Sequence, residues 1–161
     1  LDIGRADDYT VLTIGDKNGN VSFVERWRHD DWTNIINKVA KRIKEQNALV
    51  YVEVNNQGDV FFEMLKKLVG NLIEPFTTTS KSKPIMIEDL AVQFEQQTIQ
   101  IPSINWFVDE LESFTYIFDP KSRRVKYSAP PGVHDDGVIS LSLYNQARTK
   151  LNQRGKYIIL K

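Results

Sequence analysis

The chain has 161 residues, of which 41% are apolar and 11% aromatic, a composition typical of one globular domain and not of a disordered chain. It contains no cysteine, which excludes disulfides and thiolate metal sites and fits a cytosolic protein. Its 21 basic and 21 acidic residues cancel, so any binding to nucleic acid must be local, without a general electrostatic attraction. No segment has the pattern of a membrane span or a signal peptide.

The first part of the chain predicts an antiparallel meander. Residues 1–4, 9–14 and 21–27 have the composition of strands, and the turn-forming segment 15–20 predicts a hairpin loop between the last two. Because residue 1 already belongs to the first strand, we expect the chain to be a domain of a longer protein.

An amphipathic helix over residues 32–46 and a strand over 48–54 follow the meander. The tripeptide His29-Asp30-Asp31 before the helix is interpreted as simple capping. The helical crossover makes the strand a candidate for parallel pairing with the first strand. Glu53 is a carboxylate on this otherwise apolar strand, so it either needs a compensating cation or lies at the solvated end of the strand.

The middle of the chain alternates helices and strands. Asp59 opens a helix with an apolar stripe, and the polar basic segment 77–84 predicts a mobile loop. The further predicted elements are strands at 71–76 and 99–101, helices at 84–96 and 105–114, and a hairpin of strands 115–118 and 125–127 with a basic tip.

The closing helix, predicted over residues 138–147, has the most informative beginning. A Pro-Pro-Gly turn brings His134-Asp135-Asp136 to its first turn, where free N–H groups and the helix dipole favour carboxylates. The helix carries hardly any charge before Arg148 and has the small residues Ser140 and Ser142, which predicts close packing on a sheet. Acids placed there need a cation or a partner, although Asp135 as a plain helix cap is the alternative.

The order of these elements predicts an α/β protein with a ribonuclease H-like mixed five-stranded sheet flanked by helices and an added basic β-hairpin. We expect this domain to span residues 1–151, with 152–161 as a C-terminal tail or extra strand. In this layout the first strand is central, the fourth is its neighbour and the closing helix lies at their shared end. Asp2, Glu53 and the Asp135/Asp136 pair would therefore converge.

Converging carboxylates predict a divalent metal site. They cannot all stay ionised without a counter-charge, and oxygen ligands suit Mg²⁺ or Mn²⁺ rather than Zn²⁺. Two such ions roughly 4 Å apart stabilise the attacking and leaving oxygens in phosphodiester cleavage, and Asp2 is the natural bridging ligand.

Several motifs, in this order, resemble the C-terminal nuclease domain of tailed-phage large terminase subunits. The resemblance extends from Asp2 to about Ala147. The motifs are Asp2-Ile3-Gly4-Arg5 with Asp7-Asp8-Tyr9-Thr10, Val52-Glu53-Val54-Asn55-Asn56-Gln57-Gly58, Thr79-Ser80-Lys81-Ser82-Lys83, Glu110-Leu111 and His134-Asp135-Asp136-Gly137-Val138.

This resemblance implies a Mg²⁺- or Mn²⁺-dependent endodeoxyribonuclease that cuts concatemeric viral DNA during packaging. It implies Asp2, Glu53 and Asp136 as metal ligands, Asp135 and Asp8 as auxiliary acids, and His134 as a residue that positions the loop or a phosphate. Basic residues would contact DNA phosphates or, alternatively, belong to solvated loops. They are Arg5, Lys81, Lys83, Lys121, Arg123, Arg124 and Lys126.

The resemblance also implies partners. They are double-stranded DNA, an upstream packaging ATPase domain, the small terminase subunit and the portal, in the cytoplasm of a bacterial host. This chain has no phosphate-binding Gly-x-x-x-x-Gly-Lys-Ser/Thr loop, so we expect no ATPase site in it. Two alternatives remain: a Holliday-junction resolvase-like nuclease of the same fold, and a non-catalytic DNA-binding or assembly module.

Overall fold

The computed structural model of the protein describes residues 1–4, 8–28, 31–55, 58–120 and 124–154. Strands and helices alternate along them in the predicted order. The strands are β1 (Thr10–Gly15), β2 (Val21–Trp27), β3 (Val50–Glu53), β4 (Ile73–Phe76), β5 (Thr115–Asp119) and β6 (Arg124–Ser128). The helices are α1 (Trp32–Gln46), α2 (Gly58–Val69), α3 (Ser82–Glu95), α4 (Asn105–Ser113) and α5 (Asp136–Arg154), and a 3-10 turn (Gly70–Leu72) precedes β4.

The strands form three pairs, and the start of the chain joins two of them. β1 pairs antiparallel with β2, β3 pairs parallel with β4, and β5 with β6 forms the predicted hairpin. Asp2 exchanges two backbone hydrogen bonds of 2.9 Å with Val11 of β1. On its other side Leu1 donates to the Tyr51 carbonyl at 2.7 Å and accepts from the Glu53 N–H at 3.0 Å. The first segment is thus central and lies beside β3, although the count of five strands is not confirmed.

Helices cover both faces of this arrangement because successive strand residues point to opposite sides. Val50 and Val52 of β3 pack into a core with α1 and α2, whereas Tyr51 between them belongs to a second core with α3, α4 and α5. Each face of the strands is therefore buried under its own group of helices.

The closing helix α5 packs on the strands, as its composition predicts. It contacts β1 and β3. Its two small residues, Ser140 and Ser142, are fully buried, and their hydroxyls donate to the carbonyls of Val11 and Val138 at 2.9 Å each. Ser140 Oγ also lies 2.9 Å from the hydroxyl of Thr13 on β1. These hydrogen bonds satisfy the polar atoms that a close contact between helix and sheet buries.

Several predicted boundaries are wrong. Helix α3 begins at Ser82 instead of 84, because Thr79 and Ser82 cap it reciprocally: Thr79 N–H donates to Ser82 Oγ at 2.8 Å and Ser82 N–H to Thr79 Oγ1 at 3.0 Å. The predicted strand 99–101 is reduced to one bridge between Gln100 and Asn20. Helix α5 extends from Asp136 to Arg154, beyond the predicted 138–147 at both ends, and residues 155–161 lie outside the described residues. The division of the chain after residue 151 stays a prediction.

None of the helices in the described part of the chain combines the length and the apolar character needed to cross a lipid bilayer.

Candidate metal centre

One cavity of about 220 Å³ brings together acids from three parts of the fold. Asp2 comes from the central first segment, Glu53 from the end of β3 and Asp136 from the first residue of α5. Ile3, Gly4, Asp8 and Asn55 complete its lining. The acids lie at one edge because the first segment and β3 are parallel neighbours and α5 begins above the point where both end.

The pKa of Asp2, which lies beside Glu53, is strongly raised. Asp2 is only 9% exposed. Burial, then the charge of Glu53 and a hydrogen bond with it, and then the charge of Asp136 raise the pKa of Asp2 well above its ordinary value. Asn55 Nδ2 donates to Glu53 Oε1 at 2.7 Å and to the Thr78 carbonyl at 2.9 Å, which fixes the direction of the Glu53 carboxylate.

Asp136 forms the second half of the site. It is 7% exposed, and burial raises its pKa to about 6, with Asp8 adding to the rise and the Tyr9 N–H opposing it. That N–H donates to Asp136 Oδ2 at 3.0 Å. His134 Nδ1 lies 3.5 Å from the same oxygen and 3.8 Å from Asp8 Oδ1, so one atom from each of Asp8, His134 and Asp136 falls within 4.8 Å of the others.

The donor set fits a divalent cation. Asp2, Glu53, Asp8 and Asp136 line one cavity, and within the described part of the chain no lysine or arginine lines it with them. Burial and the neighbouring acids disfavour the charged forms of these carboxylates, as the raised pKa values of Asp2 and Asp136 indicate. A divalent ion removes this repulsion, and carboxylate oxygens are ordinary ligands for Mg²⁺ or Mn²⁺.

Comparison with known proteins gives relatives of one kind. The terminase large subunits of Thermus phage G20c and of Thermus virus P23-45 are each 28% identical to this chain over 153 residues, which is 92% of this chain and 31% of each relative. The crystal structure of the large terminase nuclease from thermophilic phage G20c has a TM-score of 0.81 and 26% identity, covering 90% of this chain and 78% of that one. A crystal structure of the same nuclease with bound magnesium has a TM-score of 0.78 at the same identity and coverage. No family model matches the chain.

This chain is similar to large terminase nucleases. The resemblance stated from the motifs is confirmed, and so is the ribonuclease H-like α/β fold class. The chain spans about a third of the length of the curated relatives it matches. The metal-bound relative supports a divalent metal cofactor for a terminase nuclease of this type.

The remaining acid of the terminase-like motif, Asp135, faces a lysine. Lys83 Nζ, in the first turn of α3, lies 3.2 Å from Asp135 Oδ2, and both side chains are about one-third exposed. Asp135 is thus not among the residues that line the acidic cavity. It still begins the helix, because its carbonyl accepts from Ile139 N–H at 3.0 Å. Lys81, two residues before Lys83, is exposed.

The other predicted DNA contacts are only partly described. Arg5, Lys121 and Arg123 lie outside the described residues. Arg124 and Lys126 belong to strand β6, where the structure describes the backbone alone for them. Their contacts with DNA therefore stay predictions.

Sequence reasoning gave no role to several residues at the terminase-like site. Asn55 orients Glu53, and the Tyr9 N–H orients Asp136. The ring of Tyr9 also meets the ring of His134 edge-on, with centroids 4.9 Å apart. The position of Asn55, two residues after Glu53 and at the same strand end, is a pattern from which its contact could have been predicted. No pattern in the sequence indicates the contacts of Tyr9 with His134 and Asp136, since they join residues more than 120 positions apart.

Proposed function

We propose that this chain is the metal-dependent endonuclease domain of a phage DNA-packaging terminase, cutting concatemeric double-stranded DNA. The observation that carries the proposal is the cavity in which Asp2, Glu53, Asp8 and Asp136 meet without a lysine or arginine among its described lining. The likeness to a terminase nuclease with bound magnesium supports the same chemistry. The proposed setting is the cytoplasm of a bacterial host, with an upstream packaging ATPase domain, the small terminase subunit and the portal as partners.

The proposed chemistry assigns a role to each group around the cavity. Two divalent ions, Mg²⁺ or Mn²⁺, would supply the charge that stabilises the attacking and leaving oxygens of phosphodiester hydrolysis. Asp2, Glu53 and Asp136 would hold the ions, and Asp8 would be an auxiliary ligand. Asn55 and the Tyr9 N–H keep the carboxylates of Glu53 and Asp136 in a fixed direction, which saves the cost of ordering them when an ion arrives.

The basic residues at the rim have a positioning role in this proposal. Lys83, 3.2 Å from Asp135, and the exposed Lys81 at the start of α3 carry the positive charge for this role. Contacts from such residues to phosphates place the duplex without reading its bases. His134, 3.5 Å from Asp136, is suited to hold a phosphate or to keep the acid in position.

Nicking of supercoiled plasmid in Mn²⁺ tests the proposal. We expect the wild type to cut, and Asp2→Asn and Glu53→Gln to lose activity by at least about 100-fold, because each removes a charged ligand. Glu63→Gln is the matched control, since Glu63 is exposed on α2 and away from the cavity. The control should cut like the wild type.

Three outcomes would contradict parts of this proposal. If Asp2→Asn and Glu53→Gln cut as well as the wild type, the assignment of the site is wrong. If no protein cuts at any concentration, the non-catalytic DNA-binding or assembly module is favoured. If four-way junctions are cut far faster than linear duplex, the resolvase-like alternative replaces the terminase activity.

A further inference from the structure

A partly buried ion pair lies behind the first turn of α5, outside the acidic cavity. Glu110 of α4 is 4% exposed, and its Oε1 accepts from Arg26 Nη1 of β2 at 3.1 Å. Its other oxygen, Oε2, accepts from the Gly137 N–H at 2.8 Å. Gly137 directly follows Asp136, so this carboxylate is bound to the backbone of the turn that carries a proposed metal ligand.

The contact between Glu110 and α5 leaves no room for a side chain at Gly137. A Cβ atom at position 137 would lie 2.7 Å from Glu110 Oε2 and 2.9 Å from Phe107 Cδ2. Such distances are well inside van der Waals contact, so any larger residue would displace the side chains of Glu110 and Phe107. The absence of a side chain here lets a carboxylate reach the free N–H groups of a helix N-terminus.

Arg26 connects this contact to the other side of Asp136. Its guanidinium carbon lies 4.2 Å from the ring centroids of both Tyr9 and Trp106. Tyr9 in turn donates its N–H to Asp136 Oδ2, and its ring rests against His134. The planar guanidinium suits this arrangement, since it can stack on aromatic faces while its N–H groups bind a carboxylate.

Two links therefore converge on the carboxylate of Asp136. One link runs from Glu110 to the backbone beside Asp136, and the other from Arg26 through Tyr9 to Asp136 Oδ2. A carboxylate offers about four lone-pair sites on two oxygens, and the Tyr9 N–H occupies one of them. With this hydrogen bond the Asp136 carboxylate has a fixed direction, and its remaining lone-pair sites can face the cavity that it lines.

We infer that Arg26 and Glu110 are positioning residues of the metal centre, holding Asp136 in the direction in which it binds a divalent ion. Neither residue lines the cavity. They act through Gly137 and Tyr9, in the way that groups behind a metal ligand set its orientation. This inference rests on the proposed function, because it takes Asp136 as a ligand.

The inference can be tested by Mn²⁺ binding, which does not depend on DNA cleavage. Electron paramagnetic resonance of free Mn²⁺ measures this binding on the folded protein. We expect Glu110→Gln and Arg26→Lys to weaken Mn²⁺ binding by about 10- to 100-fold. The glutamine presents an N–H₂ group in place of one carboxylate oxygen, and the lysine keeps the charge but loses the planar stack. Asp136→Asn gives the lower limit of binding.

A matched pair elsewhere in the chain is the control. Arg42 binds Glu25 at 3.3 Å and lies 5.3 Å from the ring of Phe23, so it is an arginine with a carboxylate and an aromatic partner away from the cavity. Arg42→Lys should leave Mn²⁺ affinity unchanged. Its thermal unfolding without metal measures what loss of such a pair does to stability alone.

The results separate this inference from the proposed function. If Glu110→Gln and Arg26→Lys are less stable without metal but bind Mn²⁺ like the wild type, the pair is merely structural and the inference is wrong. If the wild type itself binds no Mn²⁺, the metal centre fails and the inference with it. If Glu110→Gln does not fold, Arg26→Lys alone decides, since unchanged Mn²⁺ affinity in that variant overturns the inference.

Discussion

The same tripeptide, His-Asp-Asp, precedes two helices of this protein, and its last residue has a different role at each. Asp31 is the N-cap of α1, and its Oδ1 accepts from the Thr33 N–H at 2.8 Å in an exposed position. Asp136 is the first residue of α5, is almost fully buried and lines the acidic cavity. His29 and Asp30 lie outside the described residues, so the comparison concerns these two acids.

The difference comes from the helices that follow, not from the tripeptide. Helix α1 is amphipathic, with one buried face and one exposed face, so its N-terminus is open to water. Helix α5 is buried from Asp136 to Asn145 on all sides and begins over the ends of the first segment and β3. A capping acid thus becomes a proposed metal ligand when its helix lies inside the fold.

The largest difference between Asp136 and Asp31 should appear in DNA cleavage when each is replaced by asparagine in a separate variant. Asp136→Asn is expected to lower plasmid nicking in Mn²⁺ by at least about 100-fold, because the proposed ligand loses its charge. Asp31→Asn should cut like the wild type, since asparagine caps a helix as well as aspartate. Equal nicking rates for the two variants would show that Asp136 has no role in cleavage that Asp31 lacks.

The second largest difference between Asp136 and Asp31 should appear in the pH dependence of the free energy of unfolding, measured without metal. Burial raises the pKa of Asp136 from 3.8 to about 6, so the folded protein holds this proton more tightly than the unfolded chain. Its contribution is complete below pH 3.8 and is lost as the pH rises through about 6. About two pKa units at about 1.4 kcal/mol each set an upper limit of about 3 kcal/mol on the loss.

Urea unfolding in metal-free buffer between pH 4.5 and 7.5, values chosen to bracket about pH 6, measures this loss. The free energy of unfolding of the wild type should fall across this range relative to that of Asp136→Asn, which has no carboxyl to titrate there. Asp31→Asn should follow the wild type. Parallel curves for wild type and Asp136→Asn would show that burial of this acid carries no cost.

Mn²⁺ should stabilise the protein only when Asp136 is intact. At 100 times the dissociation constant, an ion that binds only the folded state adds about 2.7 kcal/mol, which corresponds to roughly 5–10 °C in Tm for a domain of this size. Wild type and Asp31→Asn should both show this shift in thermal unfolding. A full shift in Asp136→Asn would mean that the ion binds without this residue.

The smallest effect is expected from the cap itself. Asp31→Ala removes the acceptor for the Thr33 N–H and should cost about 1 kcal/mol of unfolding free energy, seen as a fall of a few degrees in Tm. Its Mn²⁺ affinity should equal that of the wild type. An altered Mn²⁺ affinity would indicate that α1 is coupled to the cavity and that Asp31 is more than a helix cap.

Local patterns in the sequence predicted the backbone of the fold and the main acids. The Pro-Pro-Gly turn, the low charge of α5 and its small serines indicated a buried helix with acids at its start, and the structure has such a helix. The start of α3 at Ser82 differs from the prediction, which places Pro84 as the first residue of the helix. A proline is tolerated at the third position too, since the first N–H groups of a helix have no intrahelical partner.

Contacts between distant elements could not be predicted in the same way. Lys83 and Asp135 are both visible as charged residues, but their ion pair depends on the packing of α3 beside α5. The stack of Arg26 with Tyr9 and Trp106 joins β2, the residue before β1 and α4, and no residue spacing in the sequence predicts it. The motifs therefore identify the proposed ligands, whereas the groups that orient them emerge only from the folded chain.

The serine contacts of α5 have a consequence for how the proposed nuclease would be controlled. Because Ser140 is bonded to β1 and the whole first half of the helix is buried, its beginning cannot move aside without exposing the core. Asp136 is therefore held by a packed helix and not by a loop that could close over the cavity. In the proposed function, control of cleavage would then depend on the access of DNA to a cavity that is already formed.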